Sequence, residues 1–273
     1  MQKPLSPIGV FDSGYGGLTV MNEIIKVLPE YDYLYLGDNA RAPYGTKSFE
    51  VVYEHTWECV QELFKRGCDL VILACNTASA KALRSIQQQK LIDYPGKRVL
   101  GVIRPSAEMI GTITKAQNIG VFATEGTVKS ESYLLEIIRF WPDLKVIQQA
   151  CPLWVPLIEN NAYTNEDGIS FILHDVERFL LKNQSIDTII LGCTHYPILL
   201  PLLEKHFPSI NFISQGKIVA DSLKEYLLRH TWLVKMLTTG KTRCYLTTEE
   251  ATIFKNSVAS ILHQKVNAKQ ISI

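Results

Sequence analysis

Asp69-Leu70-Val71-Ile72-Leu73-Ala74-Cys75 leads into Asn76-Thr77, and Asp187-Thr188-Ile189-Ile190-Leu191-Gly192-Cys193 leads into Thr194-His195. Each is an apolar run with an aspartate before it and a cysteine after it. Such a run reads as a strand buried on both faces, as in a parallel sheet. The two are offset by 118 residues, from 69 to 187. A second pair precedes them: Ile8-Gly9-Val10-Phe11-Asp12-Ser13 is echoed by Ile119-Gly120-Val121-Phe122-Ala123-Thr124, an offset of 111 residues. Two matches in the same order at nearly one offset indicate a duplicated α/β unit.

The intervening segments fit this frame. Residues 18–28 read as a helix stopped by Pro29, and Tyr33-Leu34-Tyr35-Leu36 as a strand ending at Gly37-Asp38. Residues 48–66 read as a long amphipathic helix closed by Gly67, residues 76–89 as a helix, and residues 99–103 as a further strand. Strand and helix alternate, which predicts an α/β protein. The expected fold is two pseudo-symmetric, doubly wound domains with mostly parallel sheets and an active site in the cleft between them. The expected boundaries are residues 1–101 plus 215–273 for one domain and 102–214 for the other. A length of 273 residues suits two units, since a domain holds roughly 150 residues. Ligands of open α/β sheets sit outside the carboxyl ends of the strands. The loops after Phe11, Leu36, Leu73, Phe122 and Leu191 should therefore form the site, with Cys75 and Cys193 on opposite walls.

Composition excludes several classes. The chain is 47% hydrophobic and 20% charged, too apolar for a disordered chain. Its 28 basic and 27 acidic residues leave a net charge of +1, without the basic excess of a nucleic-acid binder. No run of about 18 apolar residues suggests a membrane span, and residues 1–7 do not resemble an export signal. The expected setting is the reducing cytoplasm, where the six cysteines are free thiols. Cys59, Cys68, Cys151 and Cys244 read as structural, because a free cysteine is usually a small buried hydrophobe. Residues 224–243 read as a solvated, mildly basic helix and loop, and residues 231–242 match no motif.

Cys75 and Cys193 allow a specific chemistry. A thiolate on one face of a carbon acid can remove a proton while a thiol on the other face delivers one. That inverts a stereocentre, and reversing the reaction only exchanges the two roles. A thiol titrates near 8.5 until helix termini or cations lower it, and the groups must lie within hydrogen-bond reach of the proton they move.

Four motifs then carry a resemblance. Asp12-Ser13-Gly14-Tyr15-Gly16-Gly17, Pro43-Tyr44-Gly45, Ala74-Cys75-Asn76-Thr77-Ala78 and Gly192-Cys193-Thr194-His195-Tyr196-Pro197 resemble those of bacterial glutamate racemase, in the family's order. The resemblance covers the chain from Ile8 to about Leu228. It implies a cofactor-independent, metal-free racemase that interconverts L- and D-glutamate, the D-enantiomer going into peptidoglycan. It implies that Cys75 acts on D-glutamate with help from Asp12, and Cys193 on L-glutamate with help from Glu159 and His195. It places Asp12, Ser13, Tyr44, Gly45, Asn76, Thr77, Thr124, Thr127, Thr194 and His195 at substrate-binding positions. Hydroxyls, an amide and backbone N–H groups suit an amino acid with two carboxylates, and glycines let the backbone approach closely. The resemblance also suggests a homodimer. Arg104, in Gly101-Val102-Ile103-Arg104-Pro105, departs from a pattern that is often acidic there. Seven residues precede the first strand, and regulation by a cell-wall precursor is not expected.

Competing interpretations use the same residues. An aspartate or hydantoin racemase would share the thiols. A cysteine hydrolase would use Cys193 as nucleophile and His195 as base. A binding module for an acidic amino acid would need neither thiol. Zinc is disfavoured, because no Cys-x-x-Cys or His-x-x-x-His pair is present. The glycines of residues 12–17 lack the spacing of a phosphate loop.

Overall fold

The computed structural model describes residues 6–273. Residues 1–5, part of the stretch that does not resemble an export signal, lie outside the described residues. Ten strands form two sheets. They are β1 (Ile8–Asp12), β2 (Tyr33–Gly37), β3 (Leu70–Leu73), β4 (Arg98–Gly101), β5 (Asn118–Ala123), β6 (Lys145–Ala150), β7 (Ile186–Gly192), β8 (Asn211–Ile213), β9 (Arg243–Thr247) and β10 (Ala268–Gln270). The first sheet runs β10-β9-β2-β1-β3-β4 and the second β6-β5-β7-β8. Every pairing is parallel.

The duplication read in the sequence is a duplication of topology. Within the first sheet β2-β1-β3-β4 has the same order as β6-β5-β7-β8. The two apolar runs that end in cysteine are β3 and β7, the third strand of each unit. Both lie beside the first strand of their unit, where the chain's winding reverses direction, and such switch points open a crevice at the carboxyl ends.

Burial follows from the parallel arrangement. β1, β2 and β3 are buried at every position, with helices on both faces. On one face the helices Gly17–Val27 and Gln215–Arg229 set Leu18, Met21, Ile24, Val219 and Leu223 against Val10, Tyr35 and Ile72. On the other the helix Phe49–Lys65 sets Val52, Val60 and Leu63 against Phe11, Leu36 and Val71. Each fully buried aliphatic side chain contributes about 1.5–3 kcal/mol relative to exposure. In the second sheet Phe122, Ile189 and Leu191 pack on one face and Ile119, Val121 and Ile190 on the other.

Three local expectations are corrected. The strand expected over 99–103 ends at Gly101, and Ile103 opens a helix to Ile113. Two β-branched residues there suggested a strand, but Pro105 sits in the helix's first turn, where its missing N–H has no intrahelical role. The single helix expected to Gln89 is broken at Ala82, between Asn76–Lys81 and Leu83–Ser85, and ends in a wide turn over Ile86–Lys90. Gln87 docks that turn onto β4 by donating to the Val99 carbonyl at 2.8 Å. Residues 224–243 are not simply solvated: Leu227, Leu233 and Leu237 enter the first core, and Arg243 begins β9. Asp32 secures that return by accepting from the N–H groups of Gly240 (3.0 Å) and Thr242 (2.7 Å).

Candidate active site

The registers bring the key loops together. Phe11 pairs with Leu73, so Asp12 and Cys75 leave adjacent strands side by side. Ala123 pairs with Gly192, so Thr124 and Cys193 do the same in the second sheet. Cys75 is the N-cap of the helix Asn76–Lys81, and its sulfur accepts from the Ala78 N–H at 3.4 Å. Ser13 Oγ lies 3.4 Å from that sulfur.

Cys75 is 5% exposed and Cys193 7% exposed. Burial pushes the Cys75 thiol up to about 12, and the negative charges of Asp12 and Cys193 push in the same direction, while Ser13 and the Ala78 N–H oppose them. This reverses the expectation that helix termini lower it. Burial of the sulfur outweighs a single weak N–H contact. Asp12 has no exposed surface. Burial raises its carboxyl above the usual carboxylate range, against the charge of His195 and the N–H groups of Gly14 and Gly17.

Cys193 has a different companion. Its sulfur is 3.9 Å from His195 Nδ1, and His195 Nε2 is 3.0 Å from Glu159 Oε1, at the end of the helix Trp154–Glu159. The Nε2–H does not point at that oxygen, so the contact is an ion pair rather than a directed hydrogen bond. Burial alone would lower the imidazole's pKa, but the contacts with Cys193 and Glu159 lift it to about 10. Each thiol thus has its own set of polar groups.

The two sets meet. Thr194 Oγ1 donates to Asp12 Oδ1 at 3.5 Å, and Thr19 Oγ1 donates to the Thr194 carbonyl at 3.0 Å. Thr77, Thr124 and Thr127 form a knot of hydroxyls, with Thr77 2.9 Å from Thr124 and 3.3 Å from Thr127. The Gly126 N–H donates to the Gly45 carbonyl at 2.8 Å. A Cβ at Gly45 would lie 2.9 Å from Thr124 Cβ, so this approach requires glycine. The sequence-predicted residues therefore come together from both sheets.

Two side chains are already committed to neighbours. The Tyr44 hydroxyl donates to Asp38, which also holds Arg41 and Thr248. The Asn76 amide bonds to Gln215 and Tyr133. Gln215, Tyr133 and Asp38 escaped the sequence reading, because nothing in their local spacing marks them. Of the remaining cysteines, Cys59, Cys68 and Cys151 are buried and Cys244 is exposed. Among the described residues no group of three or more His, Cys, Asp or Glu is arranged to hold a metal ion.

Comparison with known proteins gives consistent matches. The sequence profile described as Asp/Glu/Hydantoin racemase matches residues 8–223. A glutamate racemase from Geobacter metallireducens is 45% identical over 199 residues, 72% of this chain and 70% of the relative. The crystal structure of a glutamate racemase isoform from Bacillus anthracis superposes with a TM-score of 0.86 at 32% identity, covering 99% of this chain and 98% of that one. The glutamate racemase from Francisella tularensis, solved in complex with D-glutamate, gives 0.84 at 29% identity, covering 98% and 97%.

Proposed function

The chain belongs to the Asp/Glu/Hydantoin racemase family of isomerases, and on that premise we propose that it interconverts L- and D-glutamate by moving protons between two thiols. The observation that best supports this is the paired, unequal setting of the thiols: Cys75 beside Ser13 and Asp12, Cys193 beside His195 and Glu159.

In the D-to-L direction, Cys75 as thiolate takes the Cα proton and becomes a thiol. The electron pair stays on Cα, stabilised through the α-carboxylate. The Cys193 thiol then delivers its proton to the opposite face and becomes the thiolate. In the L-to-D direction the roles exchange. Asp12 assists Cys75, and His195, held by Glu159, assists Cys193. Burial and the charge of Asp12 hold the Cys75 proton tightly. A substrate ammonium placed by Asp12 offsets that carboxylate's field and lowers the barrier to ionisation. Ser13, Thr77, Thr124, Thr127 and Thr194 supply hydroxyls, and Tyr44, Gly45 and Asn76 supply backbone groups, to the two carboxylates. Donors placed where charge develops are each worth a few kcal/mol.

The family also supports a setting. D-glutamate would feed peptidoglycan synthesis in the cytoplasm, and the working unit would be a homodimer. No helix among the described residues is long and apolar enough to cross a membrane. Residues 1–101 with 215–273 would form one domain and residues 102–214 the other. The packing of the helix Gln215–Arg229 on the first sheet supports that division.

The decisive measurement is Cα deuterium uptake from heavy water on each enantiomer. Both should exchange and racemise, whereas Cys75→Ala and Cys193→Ala should each lose at least about 1,000-fold, within the range for removing an acid–base group. Near-wild-type turnover in either variant sinks the two-thiol mechanism. Turnover of D-aspartate faster than D-glutamate sinks the substrate assignment. The chain Cys193, His195, Glu159 also has the order of nucleophile, base and orienting acid. A hydrolase of that kind would be trapped covalently by a glutamate ester and would leave the Cα proton unexchanged.

A further inference from the structure

Behind the thiols three polar side chains close a ring of hydrogen bonds. Asn76 Nδ2 donates to Gln215 Oε1 at 2.7 Å, Gln215 Nε2 donates to the Tyr133 hydroxyl at 2.5 Å, and that hydroxyl donates to Asn76 Oδ1 at 2.7 Å. Each group gives and receives once around the ring. Turning one amide over would set donor against donor or acceptor against acceptor, and turning both would set Gln215 Oε1 against the Val102 carbonyl, so the ring and that carbonyl together fix both orientations. All three residues are buried, with Asn76 2%, Gln215 3% and Tyr133 0% exposed. Gln215 Nε2 also reaches Ser106 Oγ at 3.0 Å and the Val102 carbonyl at 3.2 Å.

The positions of the members in the chain give the ring its meaning. Asn76 follows Cys75 on the first helical turn after β3. Tyr133 lies in the helix Ser132–Phe140, packed beside the second sheet. Its ring sits against Gly192, where an added Cβ would be 3.0 Å from Tyr133 Cε2, one residue before Cys193. Gln215 opens the helix that returns the chain to the first sheet, and Val102 stands where the chain first leaves it. One buried ring therefore touches both crossings between the sheets and the backbone beside each thiol.

We propose that this ring is a brace, in which Gln215 and Tyr133 are positioning residues that hold Asn76, and through it the Cys75 thiol, at a fixed offset from the second sheet. The proposal rests on the two-thiol assignment above. Neither residue contacts the reacting atoms. Removing one member leaves buried donors and acceptors without partners, which is costly in a site of low polarity.

The test uses Tyr133→Phe, Gln215→Met and the double variant in the full chain. Each is assayed with protiated and Cα-deuterated glutamate of both enantiomers. Both substitutions keep the bulk of the side chain, and the Tyr133 ring still packs on Gly192. Each single variant should lose about 10-fold in kcat, and the double variant should be no slower than the worse single one, because the ring breaks once. The isotope effect separates positioning from loss of folded protein, since it does not depend on how many molecules are active. A slower Cys75 step makes proton removal from D-glutamate more limiting, so the isotope effect from that side rises. From L-glutamate the later proton delivery becomes limiting, so the effect falls. Wild-type kcat in both singles, strictly additive losses, or unchanged isotope effects would each overturn the brace. Racemisation by Cys75→Ala is the separate result that removes the two-thiol assignment itself.

Discussion

At the residue scale the site sets charge against burial, and two side chains make this measurable. Burial is the largest influence on Asp12 and raises its carboxyl. A group of this kind that must ionise in the folded protein destabilises it at neutral pH. Asp12→Asn should therefore raise the melting temperature, by about 2–4 °C per kcal/mol recovered, while lowering racemisation by about 100-fold. A variant both active and no more stable would contradict this balance. His195 has the opposite sign. Its folded pKa of about 10 lies above the ordinary imidazole value of 6.5. The stability it contributes is complete below pH 6.5 and fades as pH rises through 10, because the folded state holds the extra proton in that window. Urea unfolding of the wild type should thus weaken from pH 7 to 10 by at most about 1.4 kcal/mol per pH unit more than that of His195→Asn. Parallel curves would remove His195 as a charged partner of Glu159. Asp12, His195 and both thiols were legible because each stands at or beside the end of a recognisable strand. The rise of the Cys75 pKa was not, since it comes from the packing around the sulfur.

At the element scale the close approach of loops from the two sheets depends on glycine. A Cβ at Gly16 would collide with Thr194 Oγ1 and lie 2.7 Å from His195 Nδ1. Gly16→Ala should therefore push the loop after β1 away from the Cys193 side, cutting kcat at least about 10-fold with little change in unfolding midpoint. Gly111, on the helix Ile103–Ile113, meets the Trp141 indole instead. Gly111→Ala should lower stability by about 1–3 kcal/mol, the usual penalty of overpacking, while folded molecules keep their kcat. Equal effects of the two substitutions on activity would contradict this division. The central strands were legible because parallel, doubly covered strands read as unbroken apolar runs. β9 and β10 were not: β10 is the edge strand of the first sheet, β9 lies next to it, and both carry exposed positions. The Asn76–Gln215–Tyr133 ring was equally hidden, since its members are far apart in the chain and only the crossings between sheets bring them together.

At the scale of the whole molecule, both thiols are enclosed, and the proposed reaction requires a substrate to reach them. Besides the Asn76–Gln215–Tyr133 ring, the polar contacts that join the two sheets around the site include Thr77 with Thr124 and Thr127, Gly126 with Gly45, Thr19 with Thr194, and Thr194 with Asp12. A net contribution of roughly 0.5–1.5 kcal/mol each gives a closure held by a few kcal/mol, which thermal motion can open. Enclosure and a raised thiol pKa both slow alkylation, which needs an accessible thiolate. Cys244 is exposed and stands at the far side of the first sheet from β3. Iodoacetamide followed by peptide mapping should therefore modify Cys244 at least about 10-fold faster than Cys75, without loss of activity. Inactivation should track Cys75 or Cys193 and be slowed by saturating glutamate, which holds the halves together over the thiols. Cys75 alkylated as fast as Cys244 would mean that the open form predominates in solution. In that case closure, and not only proton transfer, would have to be driven by the bound substrate.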